Sequence, residues 1–137
     1  MHVVSIGVNH TTAPVEVREK LALVDGQIPN ALAQVAGYVP EAAILSTCNR
    51  MEIYALVADA SNGVEALKSY LSNFHKVAPE DFEPHLYIYR QEEAARHLFA
   101  VASGIDSMIL GETEILGQVR EALAEASTVE SIGVPLS

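Results

Sequence analysis

Ala42-Ala43-Ile44-Leu45-Ser46-Thr47-Cys48-Asn49-Arg50-Met51-Glu52-Ile53-Tyr54-Ala55-Leu56-Val57-Ala58 holds two apolar runs joined by four polar residues. The first run, 42–46, is short and apolar, as a buried strand is. In the second, 51–58, Met51, Ile53, Ala55 and Val57 alternate with Glu52, Tyr54, Leu56 and Ala58, the period of a strand with two distinct faces. Thr47-Cys48-Asn49-Arg50 is then a tight connection between antiparallel strands, and the fold is built around this hairpin.

Working outward, residues 2–8 read as a further buried strand, ended by the polar loop Asn9-His10-Thr11-Thr12-Ala13-Pro14. Pro14 suits the first turn of a short helix through about Leu23. Asp25 is placed to cap a second helical stretch with Ile28, Leu32, Val35 and Val39 on one face, cut short by Pro40. After the hairpin, Asn62 with Glu65 marks a helix start, and Val64, Leu67, Leu71 and Phe74 form its apolar stripe. Residues 86–89 give a fourth strand. From Gln91 the pattern is helical again, with Glu92 and Glu93 in the first turn and Ala94, Ala95, Leu98 and Ala102 facing inward, to an end at Gly104. A last helix starts near Glu114. The order strand, helix, strand, strand, helix, strand predicts an α+β fold: a ferredoxin-like antiparallel sheet (βαββαβ) with additional C-terminal helices, in one domain over 1–137.

Composition narrows the function classes. Half of the 137 residues are hydrophobic, enough for a core without staples. One cysteine forms no internal disulfide and no secretory leader pattern opens the chain, which predicts a cytoplasmic protein. No apolar run reaches the roughly 18 residues of a membrane span. With 18 acidic against 8 basic residues the net charge is −10, which opposes non-specific contact with phosphate backbones, so any RNA contact must be local or depend on basic surface elsewhere.

The chemistry-bearing residues fall in three places. Cys48, the lone thiol, sits among Thr47, Asn49 and Arg50. A nearby cation raises the thiolate fraction, and Arg50 can supply that charge or grip a carboxylate in bidentate fashion, while Thr47 and Asn49 can hydrogen-bond a ligand or hold the turn. A lone cysteine is also at home as a small buried hydrophobe, although such packing does not need polar neighbours. The second place is Gly104 to Gln118, where three glycines frame Asp106, Ser107, Glu112, Glu114 and Gln118. Backbone can come close to a ligand there, and Glu112 and Glu114 can face an ammonium group or simply start a solvated helix. The stretch lacks the lysine of a phosphate loop. Third, His97 lies beside the apolar stripe of its helix, as a general acid or base or as a satisfied flank residue. No histidine pair has ligand spacing and Cys48 has no cysteine partner, so no metal is expected.

Gly7 to Pro14, the block Ser46-Thr47-Cys48-Asn49-Arg50 with Glu52-Ile53-Tyr54, and Gly104 to Gln118 resemble, in this order, three signature stretches of the catalytic domain of glutamyl-tRNA reductase. The resemblance implies that Cys48 attacks the ester joining glutamate to tRNA(Glu), giving a thioester that NADPH reduces to glutamate-1-semialdehyde on the route to tetrapyrroles. By it, Arg50 holds the substrate side-chain carboxylate, Thr47, Ser107 and Gln118 line the glutamate pocket with Glu112 as a further member, and His97 supports catalysis. It also implies a homodimer in the full-length enzyme and channelling of product to an aminomutase. The family carries NADPH-binding and dimerisation domains after this point, and no G-x-G-x-x-G follows any strand here. The chain is therefore expected to be truncated, with the NADPH site absent and no reduction by this chain alone. The rival reading is a non-catalytic small-molecule-binding ferredoxin-like module.

Overall fold

The computed structural model describes residues 2–23, 25–47 and 49–102. The chain runs β1 (His2–Asn9), α1 (Val15–Leu21), α2 (Ile28–Val35), β2 (Glu41–Ser46), β3 (Arg50–Val57), α3 (Ala60–His75), β4 (Tyr87–Arg90) and α4 (Glu92–Ala102). The strands form one sheet in the order β2-β3-β1-β4, and every neighbouring pair is antiparallel.

Period-two alternation gives the sheet two faces, and both are buried. Val4, Ile6 and Val8 of β1, with Ile44, Met51, Ile53, Ala55 and Val57, point to one face. There they join Val17, Leu21, Leu32, Val35, Val64, Leu67 and Leu71 from α1, α2 and α3 in a single core. Each of these larger aliphatic side chains contributes about 1.5–3 kcal/mol by leaving water. α4 lies on the other face. All eight residues of β3 are consequently buried, including the four that alternate away from the helical core. That is why Glu52 and Tyr54, which in a two-layer fold would meet water, are 0% and 3% exposed.

Local chemistry sets the element ends, and several differ from expectation. α3 begins at Ala60 rather than at Asn62, because the Asp59 carboxylate accepts from Asn62 N at 2.8 Å and caps the helix one turn earlier. It ends at Lys76, held at φ 56, with Val77 N donating back to Ser72 O. α2 starts at Ile28 with Gln27 as its N-cap, after a single 3-10 turn from Asp25 to Gln27, and Pro29 lies in its first turn. Gln91, at φ 55, reverses the chain between β4 and α4, and its N–H donates to Val3 O at 2.7 Å. This sharp turn lays α4 back across the sheet. Among the described side chains of α4, Ala94, His97 and Val101 are buried, whereas Ala95 is exposed and Leu98 half-buried. Ala94 faces inward as expected, but the stripe continues through His97 and Val101 in place of Ala95 and Leu98. The face α4 meets is polar and aromatic, so hydrophobicity alone misplaces the stripe.

Candidate functional site

One row of the sheet explains how a charged cluster comes to lie inside the protein. Gly7 on β1 is paired with Glu52 on β3 and with Tyr87 on β4. Glycine leaves that middle position empty: a Cβ on Gly7 would come within 2.5 Å of Met51 O and 2.9 Å of Glu52 Cγ. Glu52 lies in the gap and reaches the Tyr87 hydroxyl from two strands away.

Four donors converge on this carboxylate. Tyr54 Oη donates to Oε1 at 2.7 Å. Arg50 Nη1 donates to Oε2 at 3.1 Å, with both side chains fully buried. Tyr87 Oη and His97 Nε2, the latter at 2.5 Å, share the same Oε2. Burial alone would raise the Glu52 carboxyl, but the hydrogen bond and charge of His97, then the Tyr87 hydroxyl and Arg50, hold it below its ordinary value. Burial, and after it the charge and hydrogen bond of Glu52, push the Tyr54 phenol far up, so it stays a donor. An ionised carboxylate only accepts, which requires the His97 proton on Nε2. The imidazole is further fixed by stacking on Tyr89, with ring centroids 4.6 Å apart, and by Tyr87 at 5.1 Å.

The hairpin end is built alongside. Thr47 Oγ1 accepts from Asn49 N at 3.1 Å and Arg50 N at 3.2 Å, and Thr47 N donates to Arg50 O at 2.8 Å. Thr47 therefore acts here as the clasp of the turn. Across the sheet Arg50 is paired with Asn9, whose Oδ1 gathers Thr11 N, Thr11 Oγ1 and Thr12 N. The loop after β1 is in this way pinned at the same end of the sheet as Thr47, Asn49 and Arg50.

Of the site residues expected from sequence, Arg50 and His97 come together on Glu52, with Thr47 and Asn49 in the adjoining turn. Cys48, Ser107, Glu112, Glu114 and Gln118 lie outside the described residues. Arg50 is 1% exposed and ion-paired with Glu52. His97 Nε2 is engaged by Glu52 Oε2. Glu52, Tyr54 and Tyr87 were not among the expected site residues. The signal was a glutamate inside an apolar strand, opposite a glycine in another. Among the described residues no group of three or more histidine, cysteine or carboxylate side chains is arranged to hold a metal. An open cleft of about 320 Å³ between Tyr38–Pro40 and α3 lies at the Val57 end of β3, away from this cluster.

The family model for the glutamyl-tRNA(Glu) reductase N-terminal domain matches residues 6–137. The chain belongs to this family. Glutamyl-tRNA reductase of Prochlorococcus marinus strain AS9601 is 47% identical over 135 residues, covering 97% of this chain and 31% of the relative. That of Geotalea uraniireducens is 43% identical over 139 residues, covering 100% of this chain and 32% of the relative. The solved structure of glutamyl-tRNA reductase from Methanopyrus kandleri matches with a TM-score of 0.76 at 32% identity, over 98% of this chain and 30% of that one. The chain thus spans about a third of the length of the glutamyl-tRNA reductases it matches. No helix among the described residues is long and apolar enough to cross a membrane.

Proposed function

We propose that this chain is the domain of a glutamyl-tRNA reductase in which Cys48 takes the glutamyl group from tRNA(Glu) as a thioester. The Cys48 sulfur forms a bond to the ester carbonyl carbon, the bond from that carbon to the ribose oxygen breaks, and the thiol proton ends on the released ribose hydroxyl. The observation that carries this reading is a fixed cation two residues along the chain from the cysteine: Arg50 is anchored by Glu52 within a network that also holds His97. Distinguishing glutamate from glutamine needs a positive charge in a set place, and a buried guanidinium meets a carboxylate in a medium where water screens little.

Thr47 and Asn49 shape the turn that carries Cys48, and Ser107, Glu112, Glu114 and Gln118 complete the glutamate pocket. His97 supports catalysis through Glu52 by fixing its charge and position. The strand order β2-β3-β1-β4 in all-antiparallel pairing supports a ferredoxin-like frame for this chemistry. NADPH is the hydride donor that the reductase activity calls for, but no G-x-G-x-x-G follows a strand in this sequence, so these residues do not fit a dinucleotide cradle of that type. The reaction assigned to this chain ends at the thioester. Reduction to glutamate-1-semialdehyde, homodimer formation and transfer of product to an aminomutase belong to the longer enzyme, acting in the cytoplasm. Incubation with glutamyl-tRNA should add the mass of one glutamyl group to the wild-type chain and none to Cys48→Ser. An unmodified, folded wild-type chain at neutral pH would overturn the reading.

A further inference from the structure

We propose that Tyr54 is a specificity-determining positioning residue, which occupies Glu52 Oε1 and so confines the Glu52–Arg50 contact to one pair of atoms. The proposal rests on the reading of Arg50 as the cation that recognises the substrate side chain. A carboxylate next to an arginine favours two parallel N–H···O bonds, one to each oxygen. Here the guanidinium meets Glu52 through Nη1 and Oε2, while Oε1 receives the Tyr54 hydroxyl at 2.7 Å. Tyr54 stands two residues along β3 on the same face and is 3% exposed, so water has little access to take the place of its hydroxyl. Without that hydroxyl, Oε1 is a buried acceptor lacking a donor, which is destabilising unless a neighbour fills it. The guanidinium beside it can do so by turning to pair both oxygens. That fork draws the cation toward Glu52 and neutralises it more completely. The side-chain carboxylate of an incoming glutamyl group then gains less over the uncharged amide of a glutaminyl group.

Tyr87 provides an internal comparison, because its hydroxyl donates to Oε2, which Arg50 and His97 already share. Its loss loosens the cluster without vacating the oxygen that a fork needs. The two tyrosines should therefore separate a specific effect on selectivity from a general weakening.

The experiment measures acylation of Cys48 in the full chain by intact mass, with glutamyl-tRNA and glutaminyl-tRNA run in parallel. Wild type should prefer the glutamyl donor. Tyr54→Phe should reduce the ratio of the two rates by about tenfold, the equivalent of roughly 1.4 kcal/mol. Tyr87→Phe should keep the ratio within about threefold, a change of under 1 kcal/mol. 4-Aminophenylalanine at position 54, which retains the ring and a donor, should restore the ratio, and it carries the test by itself if Tyr54→Phe fails to fold. Circular dichroism and thermal midpoints establish that each variant is folded. An unchanged ratio in folded Tyr54→Phe, an equal loss in both tyrosine variants, or a lost ratio with the aminophenyl side chain would overturn the proposal while the acyl-transfer reading stands. Failure of wild-type Cys48 to accept a glutamyl group would overturn that reading, and this proposal with it.

Discussion

Gly7 and Glu52 occupy the same row of the sheet, and the absence of one side chain makes room for the other. Conformational freedom is not the issue at Gly7; space is. A methyl group there meets Met51 O at 2.5 Å, a backbone atom that cannot turn aside. Gly7→Ala should therefore destabilise the fold by about 1–3 kcal/mol through overpacking and displace the Glu52 carboxylate from Tyr87 and His97. Urea unfolding checks the first effect, and the loss of the His97 ring contacts seen by NMR checks the second. A stability equal to wild type would show that β1 and β3 can part without cost.

At the scale of elements, capping and turn chemistry set where each helix lies. Asp59 caps α3 through Asn62 N, and Gly63 in the following turn lies so close to Val57 that a Cβ would sit 2.6 Å from it. Cap and glycine together fix α3 against the end of β3. Asp59→Ala should lower stability by about 1 kcal/mol, measured by chemical denaturation, with glutamyl transfer to Cys48 unchanged because Asp59 stands at the opposite end of β3 from Arg50. The reversal at Gln91 has a different consequence. It places α4 on the sheet face that α1, α2 and α3 leave open, and so carries His97 to Glu52.

Over the whole molecule, a helical core lies on one face of the sheet and α4 on the other, β3 is buried along its whole length, and this burial sets the pH response. Glu52 holds its proton less readily in the folded than in the unfolded chain. Unfolding consequently takes up a proton at pH values between the ordinary carboxyl value of 4.5 and the lower folded one. The stability this group contributes is complete above that window and is lost as the pH falls through it. The gap in urea midpoint between wild type and Glu52→Gln should be constant near neutrality and narrow below about pH 4.5. The four strands, the hairpin and the α3 stripe were legible in the sequence because short-range periodicity reports which way each residue points. Arg50 and His97 could be singled out for their chemistry and their neighbours. Their meeting could not, since it depends on the register that sets Gly7 opposite both Glu52 and Tyr87, and on a turn at Gln91 that no local pattern announces. Sequence determined the elements and the reactive residue types; tertiary structure decided that both faces of β3 are buried, and so made Glu52 the centre of the site.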